Sequence, residues 1–275
     1  MPSTTDIIHL SNGYSLDLFQ SARLVKWLRD HRGSRWLKQS TAEDLGLAYV
    51  MVRYVSGITA AMGLIDARSG RLTRLGEVLS DVDPYLSAPF VPWIVHYNLA
   101  SNPRHVVWHR VVNELVYSQR RFGLEDAKML FVDLQETHAA GTVMTHVVKE
   151  LAALLETYTV GALSRLSYLD RENKDYRAPS TMRVPPLAFG YSILAFASRY
   201  RQGETAIAIG DIAAAPSSPG RIFLMREPDV RAHLERMHRD GVVSIENKGH
   251  LDQVRFADIP DPADYLLAHY EDTED

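Results

Sequence analysis

The chain has 275 residues, 46% of them hydrophobic, a net charge of -4 and no cysteine. That length accommodates one large domain or two or three smaller ones with sizeable cores. The missing thiols exclude disulfides, thiolate nucleophiles, iron–sulfur clusters and cysteine-ligated zinc, and the charge excludes a surface that is basic all over, so a polyanion would have to meet a local patch.

The N-terminus, MPSTTDIIHLSNG, has neither a basic start nor a long apolar run, so it does not read as a secretory signal. A reducing cytoplasm is the expected location. No stretch reaches the roughly 18 apolar residues of a membrane span, so no membrane contact is expected. Residues 1–13 read as a loop or a lone strand. Leu16–Arg29 reads as an amphipathic helix with Leu16, Phe19, Leu24, Trp27 and Leu28 on one side.

Thr41–Val82 is the segment with the clearest chemistry. Thr41, with Asp44 three positions on, reads as the start of a short helix. Gly46 supplies a tight turn and a second helix follows over Ala48–Met62. Gly63 reads as its left-handed cap. Leu64–Ile65 and Leu72–Thr73 read as short paired strands around the polar turn Asp66–Arg71, with Gly70 at its tip. Helix, turn, helix and basic hairpin in this order are those of a winged helix. Leu47, Met51, Tyr54, Val55, Ile58 and Met62 fall on the core face of the second helix; Tyr49, Arg53, Ser56 and Ala60 fall on the other, which in a nucleic-acid reader enters the major groove.

Between Phe19 and Leu79 there are ten Lys/Arg against five Asp/Glu. The residues expected to contact DNA are therefore Tyr49, Arg53 and Ser56 on the helix, Arg68, Arg71 and Arg74 in the wing, and Arg35 and Lys38 beside Trp36, the tryptophan expected to be exposed. Gly57 in mid-helix weakens helix propensity. A winged helix also serves as a plain protein-docking module.

Asp83–Pro92 carries three prolines and reads as a boundary. Residues 93–160 read as wholly helical: Trp93–Ala100, His105–Tyr117, a break at Phe122–Gly123, then Leu124–His138 and Thr142–Tyr158, together a helical bundle. Arg171–Pro186 is polar and reads as a linker or exposed loop. Leu187–Arg201 is apolar on most sides and reads as a buried helix. A second, winged-helix-like unit is expected from Ser217: a strand at Phe223–Met225, a helix at Glu227–His238, and a hairpin of Val242–Ile245 and Leu251–Phe256 around Asn247–Lys248–Gly249. The tail from Ala257 holds seven acidic residues and no Lys or Arg. The expected fold is mainly α: a winged helix-turn-helix at 1–82, a helical bundle at 83–170, and a helix plus winged-helix-like α+β unit with the acidic tail at 171–275.

Catalytic signatures are scarce. No GxxxxGK[ST], GxGxxG or GxSxG is present. His105 and His109 have i, i+4 spacing, but Val106 stands where a zinc protease has glutamate, and no third ligand is evident. His96 sits in an apolar helix and reads as a buried, hydrogen-bonded histidine. Asp83 before Pro84 reads as a cap or turn residue. Arg120–Arg121 makes a small basic spot. No catalytic residue, metal or cofactor is expected.

Gly76, Asp83, Pro84, Tyr85, Leu86, Trp93, His96, Asn102, Pro103, Trp108 and Asn113 resemble the core motif of the bacterial family catalogued as domain of unknown function 4007. Trp27–Leu28, the helix from Gly46, Pro185–Pro186–Leu187 and the PGRIFLM segment are similar too. An Asn of the family's upstream helix is absent, Ala48 and Tyr49 preceding Val50–Met51–Val52. The resemblance implies a setting beside DNA phosphorothioation enzymes and in phage-defence islands, and carries over no catalytic residue. The expectation is a non-enzymatic DNA-binding accessory or adaptor, with DNA and other subunits of such a system as partners and a homodimer left open. The alternatives are a structural protein that binds partner subunits through its winged helices, or a metal-dependent nuclease.

Overall fold

A computed structural model describes residues 6–31, 39–137, 140–247, 252–256 and 259–270. The described residues are mainly helical, with two small antiparallel sheets among them. The chain divides into two compact units, Met1–Ala178 and Pro179–Asp275.

The first unit opens with a segment bridged to the chain at Ile7 and His105. Helix α1 (Leu18–Asp30) is capped by Asp17, whose carboxylate accepts the Gln20 N–H at 3.1 Å. It buries Leu24, Val25, Trp27 and Leu28, but Phe19, expected on the same side, is exposed. Helix α2 (Gln39–Leu45) starts before Thr41, which is a buried helix residue rather than a cap. Gly46, at φ 61, turns the chain into α3 (Tyr49–Ala61). Gly63 ends that helix at φ 83, the left-handed conformation a glycine adopts freely. The expected hairpin is present as one antiparallel bridge, Ile65 with Leu72, closed by the Asp66 N–H to the Arg71 carbonyl at 2.8 Å. Helix α4 (Arg74–Val82) follows, capped by Thr73.

The Pro-rich Asp83–Pro92 segment is no boundary between units. Helix α5 (Val91–Ser101) is bound back to the preceding helices, the Asn98 side chain donating to the Met62 carbonyl at 2.9 Å. Helix α6 (Val106–Arg110) continues as a π-helical stretch, Val111–Val116. There the Asn113 side chain donates to the His109 carbonyl at 3.0 Å, the acceptor that its own N–H would use in an α-helix.

The break at Phe122–Gly123 is a strand, β1 (Arg121–Gly123). Helices α7 (Leu124–Met129), α8 (Leu134–Thr137) and α9 (Ala140–Thr159) follow. The segment Arg171–Pro186, expected as a linker or exposed loop, holds the boundary between the two units after Ala178, but it begins in a hairpin: β2 (Asp170–Glu172) and β3 (Asp175–Arg177) pair antiparallel, turning at Asn173 with φ 59, and β1 joins β3 on its other edge. Tyr97, Trp108, Tyr158 and Tyr168 are fully buried in this unit.

In the second unit, α10 (Pro186–Tyr200) is buried from Leu187 to Ala197, as its composition requires. Next come β4 (Ala206–Ala208), α11 (Ile209–Ala214), α12 (Pro219–Ile222) and α13 (Glu227–Arg239). The expected strand at Phe223–Met225 is a buried turn with Leu224 at φ 52. Strands β5 (Ser244–Glu246) and β6 (Gln253–Arg255) form the expected hairpin, and β4 pairs with β6 to give the order β4-β6-β5. Residues 248–251, including the expected turn glycine, lie outside the described residues. Helix α14 (Pro262–His269), unforeseen in the tail, packs on α10, where a Cβ at Gly190 would lie 2.3 Å from the Tyr265 ring. Among the described residues no helix is long and apolar enough to cross a membrane.

Candidate nucleic-acid interface

Helix α3 has an open half and a covered half. At its N-terminal end Tyr49 is 40% exposed, Val50 62%, and Arg53 is exposed one turn on. Toward its C-terminal end the outer face meets the N-terminal segment. A Cβ at Gly57 would stand 4.0 Å from the Leu10 carbonyl, and the Tyr54 hydroxyl donates to the Ser15 carbonyl at 2.7 Å. Ser56, expected to face DNA, is corrected: it is buried, on the side of α3 where Thr59 one turn on donates to the Ser21 hydroxyl of α1 at 3.1 Å, and its own hydroxyl donates to the Val52 carbonyl at 2.6 Å. A serine satisfied inside its own helix has no donor left to reach a base.

The hairpin after α3 carries Arg68 and Arg71, both exposed. The Asp66 carboxylate at its base accepts the Ser69 N–H at 2.7 Å, and that bond holds the carboxyl below its usual range. Among the described residues, Arg53, Arg68 and Arg71 form no ion pair within 4.0 Å. Arg74, in the first turn of α4, is exposed and lies 3.7 Å from Glu77, so its charge is partly answered. Arg35, Lys38 and Trp36 lie outside the described residues. Arg120 and Arg121 offer less: Arg121 pairs with Asp175 at 2.9 Å, and Arg120 donates to the Val116 carbonyl.

The motif residues Asp83 and His96, like His105 and His109, make internal hydrogen bonds. Asp83 is buried and accepts the Ala88 N–H at 2.8 Å and the Ser87 hydroxyl at 3.0 Å. His96 is buried, as expected, with Nδ1 2.5 Å from the Tyr158 hydroxyl. His105 and His109 do not converge on a metal; their Nδ1 atoms face the Leu99 and Ala100 carbonyls at 3.2 and 2.9 Å. Among the described residues no group of three or more His, Cys, Asp or Glu could hold a metal ion.

Glu150 of α9 carried no signal in the sequence. Its buried carboxylate accepts the Trp108 indole N–H at 2.8 Å, the Ser11 N–H at 2.8 Å and the Ser11 hydroxyl at 2.7 Å. Burial lifts its carboxyl above the usual range, and the three donors oppose that lift. Ser11 belongs to the segment that covers the C-terminal half of α3, so Glu150 fixes how much of the helix stays open.

His105 gives the unit an acid limit. Burial, first of all, pushes its imidazole down from 6.5 to about 4. Between those values the unfolded chain takes up a proton that the folded chain refuses, so stability is full above pH 6.5 and is lost as pH falls toward 4. The loss is on the order of 3 kcal/mol. Urea unfolding at pH 7 and pH 4.5 is expected to show a smaller drop for His105→Gln than for the wild-type chain. Equal drops would remove His105 as the cause.

The family described as "Protein of unknown function (DUF4007)" matches residues 23–270. No curated protein matches the chain. Among solved structures, the chain is similar to "Magnesium ion-bound SspB crystal structure" at 19% identity and a TM-score of 0.80, covering 98% of this chain and 88% of that one. It is likewise similar to "SspB crystal structure" at 19% identity, a TM-score of 0.79 and the same coverage. At that identity the likeness concerns the fold.

Proposed function

The chain belongs to the family of proteins of unknown function DUF4007, and on that footing we propose that it is a duplex-DNA-binding accessory protein, not itself catalytic, that meets DNA with the open half of α3 and the hairpin beyond it. The observation that carries this reading is a set of arginines, Arg53, Arg68 and Arg71, exposed on a helix and the hairpin that leaves it, without ion pairs among the described residues. The order α1, α2, α3 and antiparallel hairpin supports a winged helix with α3 as its reader. In the second unit, β4, three helices and the β5–β6 hairpin, with sheet order β4-β6-β5, support a second winged-helix-like unit. The setting is the one the family resemblance implies, DNA phosphorothioation or phage defence, with other subunits of that system as partners in the cytoplasm.

The test is a mobility-shift titration of duplex DNA with the wild-type chain and with Arg53→Ala/Arg71→Ala. Each lost phosphate contact lowers the slope of log affinity against log salt by about 0.9, so the double variant is expected to bind about 10-fold more weakly at low salt and with a slope shallower by about 2. Unchanged affinity and slope would take DNA off this face and leave a protein-docking role. A metal-dependent nuclease is the second reading, supported by the magnesium named for a protein of similar fold. Nicking of supercoiled plasmid by the pure chain with magnesium, and not with chelator, would select it.

A further inference from the structure

Two clefts in the first unit share one wall, made by Phe19 and Tyr85. The narrower, of about 350 Å³, contains Arg23, Lys26 and Trp27; the wider, of about 760 Å³, contains Met51 of α3 and Arg165. The two wall rings are among the most exposed large side chains of the unit, Phe19 at 62% and Tyr85 at 72%.

Neither ring is loosely placed. Phe19 stands in the first turn of α1, beside the Asp17 cap. Tyr85 stands on a loop that the buried Asp83 ties at both ends, its carbonyl accepting the Leu86 N–H at 3.0 Å and its carboxylate the Ala88 N–H at 2.8 Å. Leu86 adopts φ 53, a costly conformation for a branched side chain, and is itself buried. The loop thus spends backbone energy while leaving the neighbouring tyrosine in water, which is the pattern of a contact residue rather than of a core.

The charges around the wall point to one class of partner. Arg23 sits over the Phe19 ring, 5.9 Å from its centre, and donates to the Gln20 side-chain carbonyl at 2.9 Å and to the Leu45 carbonyl. Lys26 and Arg165 are exposed, Arg165 donating to the Ser87 carbonyl at 3.4 Å. Among the described residues none of these three cations pairs with a carboxylate. Of the carboxylates at the clefts, Asp44 accepts the Trp27 indole N–H at 3.0 Å and Asp17 caps α1; Asp30 is exposed. Exposed rings beside cations that no carboxylate pairs suit bases and phosphates together. In a duplex the base faces are covered by their neighbours, so rings of this kind can stack only on unpaired bases.

We propose that the Phe19–Tyr85 wall is a stacking platform for unpaired nucleotides, with Lys26 and Arg165 meeting the phosphates on either side. The proposal rests on the DNA-binding reading above and extends it, through Met51 of α3, from duplex to a single-stranded stretch.

The test uses the full chain and fluorescence anisotropy with two probes, a 12-nucleotide oligothymidine and a duplex of equal length. Both rings are exposed, so Phe19→Ala/Tyr85→Ala is expected to keep the wild-type melting temperature. It should weaken oligothymidine binding about 10-fold or more and leave duplex affinity unchanged, while Tyr85→Phe should bind as the wild type does. Wild-type affinity of the double alanine variant for oligothymidine would overturn the platform. So would a wild-type chain that binds duplex but no oligothymidine at 50 mM salt, which would assign the wall to a protein partner. Failure of Arg53→Ala/Arg71→Ala to weaken the duplex complex would instead overturn the underlying DNA reading.

Discussion

Replacing Glu150 by alanine is expected to cost the first unit about 3–5 kcal/mol, because it leaves a cavity and strands three buried donors at once. The Trp108 indole and the two Ser11 donors all point at the one carboxylate, so no nearby acceptor inherits them. Glu150→Gln should cost less than alanine but more than a surface change, since its amide N–H₂ would face a donor. Urea unfolding of the two variants beside the wild type measures both. The consequence reaches α3: with Ser11 released, the segment over Gly57 should become a protease-sensitive strap. A loss under 1 kcal/mol for Glu150→Ala would mean that the carboxylate is not what holds it.

Gly76→Ala is expected to destabilise the same unit by about 3 kcal/mol through overpacking. A Cβ at Gly76 would lie 2.0 Å from the Leu64 carbonyl oxygen, and that oxygen is fixed by the Thr73 N–H at 3.0 Å. The neighbour is backbone and cannot swing away, so α4 must lift from the foot of the hairpin. Gly210→Ala is the control, a helical glycine with nothing within 4 Å of its would-be Cβ; it should hold or slightly gain stability. Differential scanning calorimetry of the two variants decides the matter, and equal midpoints would show that the hairpin base yields.

The parts of the fold legible in the sequence are those with strong periodicity or strong punctuation. Helix α3 was bounded by Gly46 and Gly63, both with positive φ, and α10 by its apolar run after Pro185. The sheet of β1, β2 and β3 was not legible, since its strands are three residues each and mostly polar. The signal that could have found the hairpin is Asn173, in the left-handed conformation its side chain tolerates. The Phe223–Met225 run looked like a strand because burial alone makes an apolar run, whether the backbone is extended or turned.

The candidate site was half legible. Tyr49, Arg53, Arg68, Arg71 and Arg74 are exposed where helical spacing and the hairpin put them. Ser56 was misplaced because helical spacing does not say which sides of a helix are covered: the side of Ser56 and Thr59 meets α1, where Thr59 donates to the Ser21 hydroxyl. Phe19 and Tyr85 were missed as exposed residues for the complementary reason: aromatic side chains are read as core unless something holds them outward, and here Asp83 does so for Tyr85.

The absence of cysteine from the sequence permits a direct measurement of the central claim. Arg53→Cys, Arg71→Cys and, as an exposed control on α7, Met129→Cys can each be labelled with a photoactivatable cross-linker and irradiated with duplex DNA. Cross-links from positions 53 and 71 and none from 129 are predicted. Cross-linking from position 129 as strong as from 53, or none from 53 while the chain retains duplex binding, would contradict a DNA-reading α3.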